Sequence, residues 1–177
     1  VHTLLCVLAD KEEIGSEGVS GMQCSLLTDI IDELAKNLGG NTNVIRAHSM
    51  CLSADVTVAF DPNYPDVSEK RNSALLSCGV GMSKYTGAAG KAGTNDAGAE
   101  FVGVIRRMFE EAQVLWQTAE LGRVDQGGGG TVAKFIAKAN IDTVDIGVPV
   151  LSMHAPFEIV SKADVYSAHK AFSVFCK

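Results

Sequence analysis

A chain of 177 residues, 46% hydrophobic and 20% charged, is long and apolar enough to bury one substantial core, which excludes a disordered protein. Its net charge of −6 argues against nucleic acid or an anionic membrane as partner, and no apolar run reaches transmembrane length. The five cysteines are dispersed, odd in number and without a CxxC pair, and several fall in apolar runs, so buried free thiols in a cytoplasmic protein are expected.

Leu4, Leu5, Cys6, Val7, Leu8 and Ala9 predict a strand covered on both faces, at the centre of a parallel sheet. The run ends in Asp10, Lys11, Glu12 and Glu13, then Ile14, Gly15 and Ser16. Ligand sites in open α/β sheets form beyond the carboxyl ends of the strands, so Glu12 and Glu13 stand where chemistry is usually done. Neighbouring side chains diverge there, and one can bind a metal while the other handles a proton. A solvated acidic turn is the plain alternative. A central strand at the very start of the chain also predicts that residues 1–177 are the C-terminal portion of a longer protein.

After a flexible stretch over residues 15–21, Leu26, Leu27, Ile30, Ile31, Leu34 and Leu38 recur at helical spacing, and Gly39-Gly40 supplies the stop. Residues 50–60 read as a strand, broken by the loop Asp61-Pro62-Asn63-Tyr64-Pro65. Residues 78–85 predict a short glycine-containing strand and residues 87–93 a glycine-rich loop. Thr94, Asn95 or Asp96 then caps a helix striped by Phe101, Val104, Ile105, Met108 and Phe109. Residues 114–118 predict another strand, and glycines 127–130 lead into a helix carrying Val132, Phe135 and Ile136. Residues 144–153 are apolar and β-branched and end at His154, before a last helix marked by Val165, Tyr166, Phe172 and Phe175. Alternating strands and helices give an α/β class with a largely parallel sheet in one domain. Glycines 127–130 lack the Lys-Ser/Thr of a phosphate loop, and Gly79-Val80-Gly81 lacks the third glycine and following helix of a dinucleotide fingerprint, so tight backbone packing near the active site, or close approach to a peptide substrate, is the expected use.

Asp55, between Ala54 and Val56, is a carboxylate inside an apolar strand and needs a strong partner, either a metal ion or a buried Arg. His154 stands at the end of an apolar run, with a hydrogen-bonded structural role as its alternative. Together Glu12, Glu13, Asp55 and His154 make a nitrogen-and-oxygen set suited to Zn²⁺, Co²⁺ or Mn²⁺.

Asp10-Lys11-Glu12-Glu13-Ile14-Gly15-Ser16 resembles the D-x-E-E-[IV]-G-S motif of the aminopeptidase I and aspartyl aminopeptidase family of dinuclear zinc exopeptidases. Ser53-Ala54-Asp55-Val56 with the later Pro62-Asn63-Tyr64 is similar to its S-A-D-V and P-N-Y segments, and Pro149-Val150-Leu151-Ser152-Met153-His154 to its P-V-L-S-M-H ending. Residues 117–130 and 161–172 look closest to the bacterial aminopeptidase I branch. The resemblance implies the C-terminal part of a catalytic domain with a three-layer α/β/α fold. It implies two zinc ions per site, Glu12 as the general base for the attacking water, Glu13 and His154 as ligands of one ion, and Asp55 as ligand of the other. Lys84 aligns with a lysine of the substrate pocket, a solvated loop lysine being the alternative. The family's upstream His ligand and bridging Asp have no counterpart in these residues. The aspartyl branch's histidines are replaced by Val58 and Asp61, which favours a neutral or broad specificity on peptides. By the same resemblance the protein forms a large homo-oligomer, such as a dodecamer. A deacylase on the same scaffold and a catalytically incomplete assembly module are the competing readings.

Overall fold

Two long strands carry the sheet in the computed structural model, which describes residues 2–89, 91–123 and 125–177. Val1, Gly90 of the first glycine-rich loop and Val124 lie outside the described residues. β1 (Met50–Val58) and β4 (Asp142–Leu151) run parallel, in register from Met50 opposite Asp142 to Val58 opposite Val150. β2 (Val80–Ser83) lies antiparallel to β4 on its other edge, with Gly81 opposite Gly147, and β3 (Trp116–Thr118) pairs parallel with β2. β5 (Ile159–Val160) folds back on Val150 and Leu151. The order is therefore β1-β4-β2-β3 with β5 beside β4. The α/β class and mostly parallel sheet agree with the sequence pattern; the antiparallel β2–β4 junction was not legible in it.

The core lies on one face of this sheet. Val80 and Met82 of β2 and Val144 and Ile146 of β4 pack against Phe101, Ile105 and Phe109 of α3 (Ala99–Glu111) and Ala168 and Ala171 of α5 (Lys162–Phe175). Because strand side chains alternate, Thr143, Asp145, Gly147 and Pro149 of β4 turn to the opposite face, where α4 (Ala133–Lys138) forms the third layer. α3 begins at Gly98 without a side-chain cap, later than Thr94, Asn95 or Asp96. α1 (Leu26–Asn37) and α2 (Thr42–Ala47) pack mainly on each other. Asn41 caps α2 through its side-chain oxygen, which accepts from the amides of Asn43 and Val44 at 3.0 and 3.2 Å. α2 and β5 are too short to leave a periodic signal.

α5 is fastened to the entrance of β2 by Asp164 in its first turn. This side chain is fully buried and accepts from the backbone N–H groups of Ser77 and Gly79, both at 2.7 Å. The Ser77 and Ser161 hydroxyls lie 2.9 Å apart beside it.

Two expectations are corrected. Residues 2–9 form no strand: Leu4, Leu5, Val7 and Leu8 are exposed, Leu8 by 92%, and the nearest ladder contact is the bridge between Asp10 and Gly21. A strand buried on both faces requires neighbours on both edges, and none of the described residues supplies them. The apolar stripe of α1 is exposed for the same reason, with only Ala35 buried. The cysteines are free, but Cys6, Cys78 and Cys176 are exposed and Cys24 and Cys51 half-buried; burial pushes the Cys51 thiol up to about 11. Among the described residues no helix is long and apolar enough to cross a membrane.

Candidate metal centre

The first wall of the site is a tight turn. Asp10 accepts from its neighbour Lys11 N at 2.9 Å and from the Ser20 hydroxyl at 2.7 Å, which holds its pKa below the usual carboxylate range. Lys11 adopts a left-handed conformation (φ 60°), the chain makes a single 3₁₀ turn over Glu12–Ile14, and Ser16 N returns to Lys11 O at 2.7 Å. Gly21 closes the base of this turn: a Cβ there would stand 2.1 Å from the Ser16 carbonyl oxygen. Glu12 and Glu13 are thus held on a rigid corner, not at the end of a paired strand as the sequence predicts.

The second wall follows β4. Ser152 (φ 59°) and His154 (φ 68°) both take left-handed backbone, and the Glu158 carboxylate accepts from the His154 amide. Non-glycine residues in this region carry strain, and here Lys11, Ser16, Ser152 and His154 do so on the two segments that meet. The result is a contact of 3.2 Å between Glu13 Oε2 and His154 Nε2, with both side chains largely exposed. Asp55 lies on β1 opposite Gly147, where a Cβ would stand 2.8 Å from the Val56 carbonyl carbon, so the glycine lets the two strands approach closely. Its Oδ1 accepts from Val56 N at 2.7 Å.

Charge accumulates among these groups. Burial, then the charges of Asp55 and Glu13, raise the Glu12 carboxyl above its ordinary value, against a smaller opposing pull from His154 and Lys134. Asp55 is likewise raised, by burial first and by Glu13, and is held back by the Val56 amide and His154. The structure thus brings Glu12, Glu13, Asp55 and His154 into mutual electrostatic reach. Among the described residues no three His, Cys, Asp or Glu side chains converge closely enough to hold a metal unaided. An imidazole and a carboxylate in contact, beside two carboxylates that burial and the charge of Glu13 raise, do fit an oxygen- and nitrogen-preferring cation.

Lys84 stands apart from this group. Its ammonium binds Asp96, which also takes Lys91 at 2.8 Å, and it is not among the charges acting on Glu12 or Asp55. Lys134, at the start of α4, is a charge acting on Glu12 that sequence reasoning missed. A shallow groove of about 410 Å³ lined by Val104, Met108 and Val174 belongs to the α3 and α5 layer and contains none of the four candidate residues.

The two glycine-rich loops pack on each other. Ala89 N donates to Gly127 O at 3.0 Å and Gly87 N to Gly129 O at 2.5 Å. Gly128 has φ 102°, and a Cβ on it would sit 1.9 Å from Gly87 O. Gly128→Ala should therefore cost about 2 kcal/mol or more, read as a fall of about 5 °C in melting temperature.

A mixed sheet layered by helices, with carboxylates and an imidazole gathered beside it, defines an α/β domain with a candidate metal site. The aminopeptidase I zinc metalloprotease family, M18, matches residues 1–176. The probable M18 family aminopeptidase 1 of Clostridium acetobutylicum is 47% identical over 98% of this chain and 38% of its own length. Aspartyl aminopeptidase 4 of Saccharomyces cerevisiae is 32% identical over 94% of the chain and 35% of its own. The crystal structure of the Thermotoga maritima M18-family aminopeptidase superposes with a TM-score of 0.91 at 42% identity, over 96% of this chain and 39% of that one. The chain belongs to the M18 aminopeptidase I family. It spans about two fifths of the length of these relatives.

Proposed function

We propose that this chain carries the general base and part of the metal shell of a cytoplasmic zinc aminopeptidase that removes N-terminal residues from peptides, with neutral or broad specificity. The observation that carries the reading is the contact of 3.2 Å between Glu13 and His154, with Glu12 and Asp55 beside it. Glu13 and His154 hold one Zn²⁺, and Asp55 a second; the remaining ligands come from polypeptide beyond these residues. Bound there, zinc supplies polarisation of the scissile carbonyl and a lowered pKa for the attacking water. Glu12 is not in the Glu13–His154 contact, and burial has raised its proton affinity. It is suited to accept the proton of that water and return it to the leaving amine. Lys134 opposes the rise, less than His154 does. Lys84, the proposed substrate contact, is paired with Asp96. The active form is a large homo-oligomer, which light scattering of the full-length protein would test.

The decisive experiment compares full-length wild type with His154→Ala on amino-acid anilides and on N-acyl amino acids, with zinc content measured in parallel. Turnover of the anilides, with zinc and activity both lost in the variant, is the expected result. Turnover of the N-acyl compounds alone identifies a deacylase, and full zinc occupancy in His154→Ala removes His154 from the metal shell.

A further inference from the structure

The sheet face opposite the apolar core holds a polar cluster that the hydrolytic scheme does not use. Asp145 on β4 is in register with Ser53 of β1 on one side and Ser83 of β2 on the other. Side chains in register share a face, so Asp145 and Ser53 meet beneath Asp55, and Thr131 closes over them from the segment before α4. All three are more than nine-tenths buried: Asp145 is 6% exposed, Ser53 2% and Thr131 8%. Among the described residues no well-formed hydrogen bond reaches Ser53 Oγ, Thr131 Oγ1 or either carboxylate oxygen of Asp145, although both hydroxyls lie near enough to act on the carboxylate.

Burial pushes the Asp145 carboxyl up to about 6, and the nearby Ser53 and Thr131 hydroxyls pull it back only in part. Ionised Asp145 therefore predominates at neutral pH. The one charged side chain acting on it is Asp55, which repels it, and no basic group contributes. Buried polar atoms without partners in a native protein mark an ordered water or ion, and a buried charge without a counter-charge is costly. A water would satisfy the hydroxyls and leave the charge uncompensated.

We propose that Asp145, Ser53 and Thr131 form a binding site for a monovalent alkali cation, lying under the β1–β4 pair. The donors are all hard oxygens, which suits an alkali ion and not a thiophilic metal. One carboxylate balances one positive charge, whereas a divalent ion draws on several, and the described residues offer no cluster of that kind. The ion ties β1 to β4 and to the loop that leads from the second glycine run.

Thermal melting of the full-length, zinc-loaded protein in NaCl, KCl and choline chloride at equal ionic strength tests the site without reference to peptidase activity. The expected result is a saturable rise in melting temperature with an alkali salt, of about 1–2 °C for a full-length protein at ten times the dissociation constant, absent in choline chloride. Asp145→Asn should abolish the rise, and Ser53→Ala or Thr131→Val should shift it to higher salt. Crystals grown with Tl⁺ should show anomalous scattering between the three side chains. Equal melting in NaCl, KCl and choline chloride would overturn the proposal, as would an alkali-dependent rise that survives in Asp145→Asn. If Asp145→Asn does not fold, the Ser53 and Thr131 variants carry the same comparison.

Discussion

Glu12→Gln in the full-length protein is expected to lower kcat by roughly 10²- to 10⁴-fold, the range for loss of a general base, while zinc content stays unchanged. The side chain keeps its shape and leaves the Glu13–His154 contact untouched. What it loses is the capacity to take a proton. Asp55 repels Glu12, but Glu12 is not among the charges acting on Asp55, so metal affinity should hold. The measurements are kcat on a peptide anilide and zinc by elemental analysis, with Glu13→Gln as the contrasting variant that loses metal. Zinc loss with turnover preserved in Glu12→Gln would exchange the roles of the two glutamates.

The largest effect on stability is expected at Asp164. Asp164→Ala leaves the buried Gly79 amide and the part-buried Ser77 amide without their acceptor. Each orphaned donor costs about 1–3 kcal/mol, so about 3 kcal/mol overall is expected, or roughly 10 °C in melting temperature for a chain of this size. Asp164→Asn keeps one acceptor oxygen and should lose about half as much. A melting temperature within a degree or two of wild type in Asp164→Ala would show that water or a backbone shift replaces the carboxylate.

The elements that could be read in advance are those whose own residues report burial. β1, β4, α3 and α5 carry long apolar patterns, and Val144, Ile146, Phe101, Ile105 and Phe109 enter the core that those patterns predict. Residues 2–9 carry as strong a pattern and are exposed, because a strand's place depends on partners that its composition does not record. Asp164 reads as an ordinary acid in the first turn of a helix; its two amide partners come from a distant segment. Asp145, between Val144 and Ile146, repeats the pattern that singles out Asp55 and could have been found the same way. Glu12, Glu13, Asp55 and His154 stand out through position and motif resemblance. The Glu13–His154 contact joins opposite ends of the chain, and no local periodicity encodes that.

β1 has a further consequence for handling the protein. Over Met50–Val58 it bonds only β4 among the described residues, so its outer row of amides and carbonyls is unsatisfied by any neighbouring strand. Met50 and Val56 are exposed on it. A nine-residue border of that kind is a template for edge-to-edge self-association. Produced by itself and concentrated, this polypeptide should gather into aggregates rich in intermolecular β-structure before its core ever melts.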